Sequence, residues 1–334
     1  MGPVEDGKRT PFLLKPTGKD YLWGGRRLKD EFAKDLNMMP LAETWECSTH
    51  PDGFSMIAGG EYAGRSLADV LRAYPEFLGT HPGTNGELPI LIKLIDAKED
   101  LSVQVHPNDA YAYTHEGGSL GKSEMWYVVD AAKDAQLIYG LYRDTEKEVL
   151  RESIHRGDIC KYLQKIKVQK DDLFYIEAGT IHAIGAGMLI AEIQQNSNLT
   201  YRLYDYDRVD QNGKKRELHI DKALDVANLK GSAEPRQPMR VLNYKKGCAR
   251  ELLARCKYFE VHRMLVNTEK SDVVVTYQTD PVSFRVLLCI QGCGVILSQD
   301  RTPILFHKGD CIFFPADSAE VSIHGGAQFL EVRG

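Results

Sequence analysis

At 334 residues, 43% hydrophobic and 27% charged, the chain has the composition of a globular protein of one large domain or two ordinary ones. A formal net charge of -5 gives no basic footprint for nucleic acid. No run of about 18 apolar residues could span a membrane, and the first ten residues lack an apolar signal region. Seven cysteines, an odd count without any Cys-x-x-Cys, fit free thiols in a reducing compartment, so a cytoplasmic location is expected.

In chain order, Ser66 is placed to cap a helix over 67–74, which must stop before Pro75. Strand-like runs follow at 88–96 and 101–106, then a short helix from Asn108 to Glu116 and a strand at 124–129. Asp144 is expected to begin a helix reaching His155. Further strands are read at 172–176 and 188–195. A helix is read from His219 to Leu229, where apolar residues recur at 220, 223, 224 and 227. The polar, Pro-containing stretch 231–239 reads as a junction, dividing the chain into 1–238 and 239–334. Strands at 273–277, 283–290 and 310–314 make up the second part. Many short strands with turn residues between them predict a mainly β protein with a few short helices.

Polar residues interrupt these strands in a pattern. Gln104 and His106 stand two apart in Leu-Ser-Val-Gln-Val-His-Pro, so on a strand they face the same side. Glu124 opens another strand, and His182 lies beyond a third. One histidine on an apolar strand is ordinarily structural, but four buried polar side chains would each cost about 2–7 kcal/mol without partners. Coordination removes that cost, and an amide oxygen, two imidazoles and a carboxylate form a ligand set for Zn²⁺ or a similar divalent ion.

The segment 171–182 aligns without gaps on 309–320, each with an acidic second residue, four apolar or aromatic residues and a turn. This resembles the second motif of a cupin, so two cupin lobes are expected, each a double-stranded β-helix or jelly-roll barrel. In the later copy Glu320 stands where the first has His182, and Arg285 stands where it has Glu124, so the second lobe is expected to hold no metal.

Five ordered segments carry a closer resemblance: Pro-Phe-Leu-Leu-Lys-Pro with Leu-Trp-Gly-Gly, Leu-Ser-Val-Gln-Val-His-Pro, Gly-Lys-Ser-Glu-Met-Trp-Tyr, Gly-Thr-Ile-His-Ala-Ile, and the run from Glu192 to Arg208. Together they are similar to the small bacterial type I mannose-6-phosphate isomerases. The resemblance implies a zinc enzyme, one ion per chain, interconverting mannose 6-phosphate and fructose 6-phosphate. It makes Gln104, His106, Glu124 and His182 the metal ligands and Arg202 the catalytic arginine, and it puts Lys93, Ser102 and Lys122 around the sugar phosphate. One departure is Glu177, where the family's turn usually has proline.

Aldose–ketose isomerisation moves a proton between C2 and C1 through an enediol. A metal can act as Lewis acid on the oxygens, Arg202 can steady the developing negative charge, and lysines can meet the phosphate. For the base, Glu192 and a metal-bound hydroxide are both open. Trp23 and Trp45 could wall a sugar site, although packing is the commoner role of such residues. Competing readings are a non-haem iron oxygenase using two histidines and a glutamate, and a non-catalytic sugar-phosphate-binding cupin. A monomer or weak homodimer with a hexose 6-phosphate as its partner is expected.

Overall fold

The computed structural model describes residues 9–81, 87–209, 212–233, 241–270, 272–298 and 303–334. Two sheets form the first lobe. The larger has six strands in the order Leu173–Ile176, Glu124–Ala131, Met188–Gln195, Ile90–Ala97, Glu43–Cys47 and Thr17–Lys19. The smaller has five, in the order Tyr201–Tyr204, Val103–Val105, His182–Ala183, Gln136–Leu141 and Leu163–Lys167. All their pairings are antiparallel.

The six-stranded sheet is buried on both faces, which explains why its central strands lack a simple polar–apolar alternation. From strand Met188–Gln195, Met188 and Ile190 join Trp126, Ile95, Leu137 and Ile184 inside the first lobe. Leu189, Ala191 and Ile193 point the other way, into a core shared with Phe284, Val286, Leu288, Phe313 and Leu330 of the second lobe. The period of two therefore decides which residues reach the barrel interior, and Glu192 follows Met188 and Ile190 there.

On the outer side of the five-stranded sheet, helices Lys147–His155 and Ile220–Val226 bury Leu150, Ile154, Ala223 and Leu224 against Val103, Val105 and Leu203. Helix Leu67–Ala73 is capped as expected, by Ser66 on the Asp69 amide; the helix read from Asn108 begins at Asp109, and Asn108 caps it on the Tyr111 amide. The helix expected from Asp144 starts three residues later, at Lys147. Asp144 instead accepts hydrogen bonds from the Gly231 amide and from Lys230, so its carboxylate fixes a distant loop.

The second lobe is a ten-stranded sheet that includes Cys248–Arg255, Glu260–Asn267, Arg285–Leu297, Cys311–Phe314 and Val321–Arg333. Strand Phe12–Lys15 also belongs to it, with Phe12 opposite Phe313 and Leu14 opposite Cys311. A division at 238/239 would leave that strand with the wrong lobe. It cannot be read locally, because a strand's partner is set by long-range pairing. Residues 234–239 of the proposed junction lie outside the described residues.

The internal echo is visible in strand register. Strands Leu173–Ile176 and Cys311–Phe314 occupy matching positions of the two copies. Ile176 faces Glu124, and Phe314 faces Arg285. The correspondence runs one strand further: Glu192 faces Trp126, and Glu331 faces Leu287. In the second lobe Glu331 accepts the Tyr277 hydroxyl at 2.8 Å, with Arg285 Nε at 3.7 Å and Arg250 paired to it. A cation thus occupies the position of the Glu124 carboxylate. Among the described residues, the one group of His, Cys, Asp or Glu close enough to share a metal is His106, Glu124 and His182. Elemental analysis is therefore expected to find one tightly held divalent ion per chain; two would contradict the reading of the second lobe.

Candidate metal centre and active-site cleft

Gln104 and His182 are directly paired across neighbouring strands of the small sheet, and His106 follows just after the strand that carries Gln104. Glu124 comes from the facing sheet. Its approach depends on Gly121, where a Cβ would lie 2.5 Å from the Asn108 carbonyl carbon and the Asp109 amide nitrogen. Only glycine allows the 121–124 segment to run so close that the Lys122 amide bonds Pro107 O at 3.0 Å.

The three side chains that can share a metal are fully buried or nearly so. His106 Nε2 lies 3.6 Å from Glu124 Oε2, and His182 Nε2 lies 3.4 Å from Glu124 Oε1. Each imidazole donates its Nδ1–H to a backbone carbonyl, His106 to Leu199 at 2.9 Å and His182 to Thr180 at 2.8 Å. That fixes the tautomer and turns both Nε2 lone pairs toward the carboxylate. Neither oxygen of buried Glu124 has a hydrogen-bond partner, although Lys122 Nζ stands 2.8 Å away as an ion pair. Gln104 Nε2 is 3.3 Å from His182 Nε2, and a half-turn of the amide would present its oxygen instead. Two oriented lone pairs and an orphaned carboxylate converging on one point are the donor set a divalent cation requires, so the residues fit a metal.

Electrostatics favour the same occupant. Burial, then the cations of Lys122, hold His106 well below the usual histidine range, and burial lowers His182 to about 4. Burial and then the Glu192 charge push Glu124 up to about 7. Before metal enters, Glu124 therefore carries a proton below about pH 7 that the ion must displace. Metal affinity is expected to hold above that pH and to fall by up to about tenfold per unit beneath it. A titration with a competing chelator at several pH values measures this, and a flat profile between pH 5 and 8 would contradict it.

Beside the ligands opens a cleft of about 260 Å³. It gathers every proposed substrate residue, namely Lys93, Ser102, Lys122, Glu192 and Arg202, along with Gln104. The lysines do not extend from strand ends to solvent; both are buried. Lys93 Nζ lies 3.3 Å from Glu192 Oε1 and 3.7 Å from Glu43 Oε2. Burial opposes its charge, yet Glu43, Glu192 and Glu124 hold its pKa above the ordinary lysine value. Glu192 is not a solvated carboxylate either. Burial alone would raise its pKa, but Lys122 and Lys93 outweigh that and keep it below the usual value. Its Oε2 accepts the Trp126 indole N–H at 3.0 Å, and its Oε1 has no hydrogen-bond partner.

Arg202 does not pair with Asp205, which is taken by Arg208 and Arg216. Instead Arg202 Nε donates to Ser102 Oγ at 3.3 Å and Nη1 to Glu217 O at 3.0 Å. Trp23 lines the cleft, stacked on Tyr21 at 5.5 Å, whereas Trp45 is fully buried under Lys93. Sequence reasoning missed Tyr21, Glu43, Asn198, Thr200 and Arg216, which also line the cleft. Glu43 had a readable signal, standing two before Trp45 and so on the same face of a strand. Arg216 had none, because it lies in a polar loop and arrives only through its Asp205 ion pair.

Residues 12–147 match the family model for the catalytic domain of type I phosphomannose isomerase. A mannose-6-phosphate isomerase of Bacillus subtilis is 38% identical over 323 residues, covering 96% of this chain and 98% of that protein. One from Streptococcus mutans is 39% identical over 305 residues, covering 91% and 92%. The chain belongs to the mannose-6-phosphate isomerase family. The crystal structure of a Bacillus subtilis mannose 6-phosphate isomerase superposes with a TM-score of 0.87 at 34% identity, covering 97% of this chain and 99% of that one. Family membership favours neither the oxygenase nor the non-catalytic reading.

Proposed function

We propose that the chain is a metal-dependent aldose–ketose isomerase interconverting mannose 6-phosphate and fructose 6-phosphate, with Zn²⁺ as its ion. The observation that carries this is an imidazole–carboxylate–imidazole group beside a cleft that holds the buried carboxylate of Glu192 among Lys93, Lys122 and Arg202, in a chain of this family. His106, Glu124, His182 and Gln104 would hold the ion, which supplies Lewis acidity at the sugar's O1 and O2. Residues 1–238 would form the metal-binding lobe, apart from strands Phe12–Lys15 and Met56–Ile57, and 239–334 the second. Seven free cysteines support a cytoplasmic setting, as monomer or weak homodimer.

Glu192 takes the proton from C2 of the open-chain aldose through Oε1. The C2–H electrons form the C1=C2 bond, and negative charge moves to O1. Arg202 faces that charge as a cation already braced by Ser102 and the Glu217 carbonyl. The hydroxyl proton on O2 passes to O1, and protonated Glu192 returns its proton to C1, leaving the ketose. Lys93, Lys122 and Ser102 orient the substrate and balance the phosphate dianion, with Arg216 at the same cleft.

A coupled assay with mannose 6-phosphate tests the reading. Activity is expected to disappear after chelation and to return with added Zn²⁺. Unchanged activity in a preparation shown to be metal-free would overturn it.

A further inference from the structure

The charged side chains of the cleft alternate in sign across four adjacent elements of one sheet face. Glu43 is followed by Lys93, then Glu192, then Lys122, then Glu124, at 3.7, 3.3, 3.8 and 2.8 Å. Strand register sets this order: Trp45, on the same face as Glu43, is opposite Lys93, and Lys93 is opposite Glu192. Lys93 is thereby held between two carboxylates. Glu43 is itself fixed, because its Oε2 accepts the Trp45 indole N–H at 2.8 Å, and the Trp45 ring lies 4.9 Å from Lys93 Nζ.

From this geometry we infer that Glu43 is a positioning residue: by sharing the Lys93 ammonium with Glu192, it keeps Oε1 of Glu192 free to take the substrate proton. This rests on the reading of Glu192 as the base. An ammonium seated fully on Oε1 would occupy the lone pair that must accept the proton and would lower its basicity. Lys93 Nζ stands 3.3 Å from Oε1, farther than the about 2.8 Å of a fully seated ammonium–carboxylate hydrogen bond, as this sharing requires. The groups facing Glu192 are Lys93 from one side, with Glu43 on the lysine behind it, and Lys122, Glu124, Trp126 and His182 from the other. Removing the Glu43 charge takes away the second carboxylate, 3.7 Å from Lys93 Nζ, and leaves the ammonium to Glu192.

The test compares Glu43→Gln, Glu43→Asp and Glu192→Gln in the metal-loaded enzyme. Glu43→Gln is expected to lower kcat roughly tenfold, with KM within about threefold and metal content unchanged. The acid limb of its kcat–pH profile should move to lower pH, because a base losing negative neighbours and gaining a cation protonates less readily. Glu43→Asp should recover part of the loss. Exchange of the C2 hydrogen with solvent deuterium should slow in parallel with kcat. An unshifted pH profile with equal loss at every pH, or a loss confined to KM, would overturn the role of Glu43. If Glu192→Gln keeps rapid exchange, the base assignment itself fails. If that variant loses exchange while Glu43→Gln behaves as wild type, only the present inference fails.

Discussion

Replacing His182 by alanine is expected to remove most of the bound metal and lower turnover by about a thousandfold. Thr180 O takes the Nδ1–H at 2.8 Å, so Nε2 offers its lone pair without any rearrangement, 3.4 Å from a Glu124 oxygen that has no other hydrogen-bond partner. Alanine leaves one imidazole, one carboxylate and one amide, too few to hold an ion tightly. Lewis-acid stabilisation is worth several kcal/mol, and about 4 kcal/mol corresponds to about a thousandfold. Elemental analysis together with a rate measurement checks this. His182 is fully buried, so unfolding must be excluded by comparing circular dichroism and the melting temperature with those of wild type. Full occupancy in a folded variant would remove His182 from the ligand set.

Arg202→Ala should lower kcat by roughly 10²–10³, the scale of losing one preorganised donor to a developing oxyanion. Metal content should stay normal, since arginine is not a ligand. The guanidinium is held by Ser102 and the Glu217 carbonyl, and it is not neutralised by Asp205, which binds Arg208 and Arg216 instead. Its charge therefore remains available to the cleft. KM should change less than kcat, because the interaction strengthens as charge builds on the sugar oxygen. Lysine at 202 should restore little, since a point charge cannot hold Ser102, the Glu217 carbonyl and substrate with one planar fork. Near-normal kcat with a large rise in KM would assign Arg202 to the phosphate and leave catalysis to the metal and Glu192.

The residues that belong inside, and the kind of ligand set they offer, are legible in the linear chain. Residues two apart on a strand share a face, so Gln104 with His106 was legible, and the burial cost of four polar side chains pointed to a ligand set. The gapless echo between 171–182 and 309–320 foretold the strand register that sets Arg285 at the position of Glu124. Local rules also placed the Ser66 cap, because a cap needs only neighbours in sequence.

The remaining features depend on how the folded chain arranges its partners, most of which lie far apart in sequence. Strand Phe12–Lys15 completes the second lobe through Phe313 and Cys311. Asp205 chooses Arg208 and Arg216 over Arg202. Asp144 bonds a loop rather than starting a helix. Glu43 and Glu192 share Lys93 because three strands align in a particular register. Side-chain period and capping are short-range properties carried by each segment, whereas the identity of the groups that meet in the cleft is fixed by how two sheets close on one another.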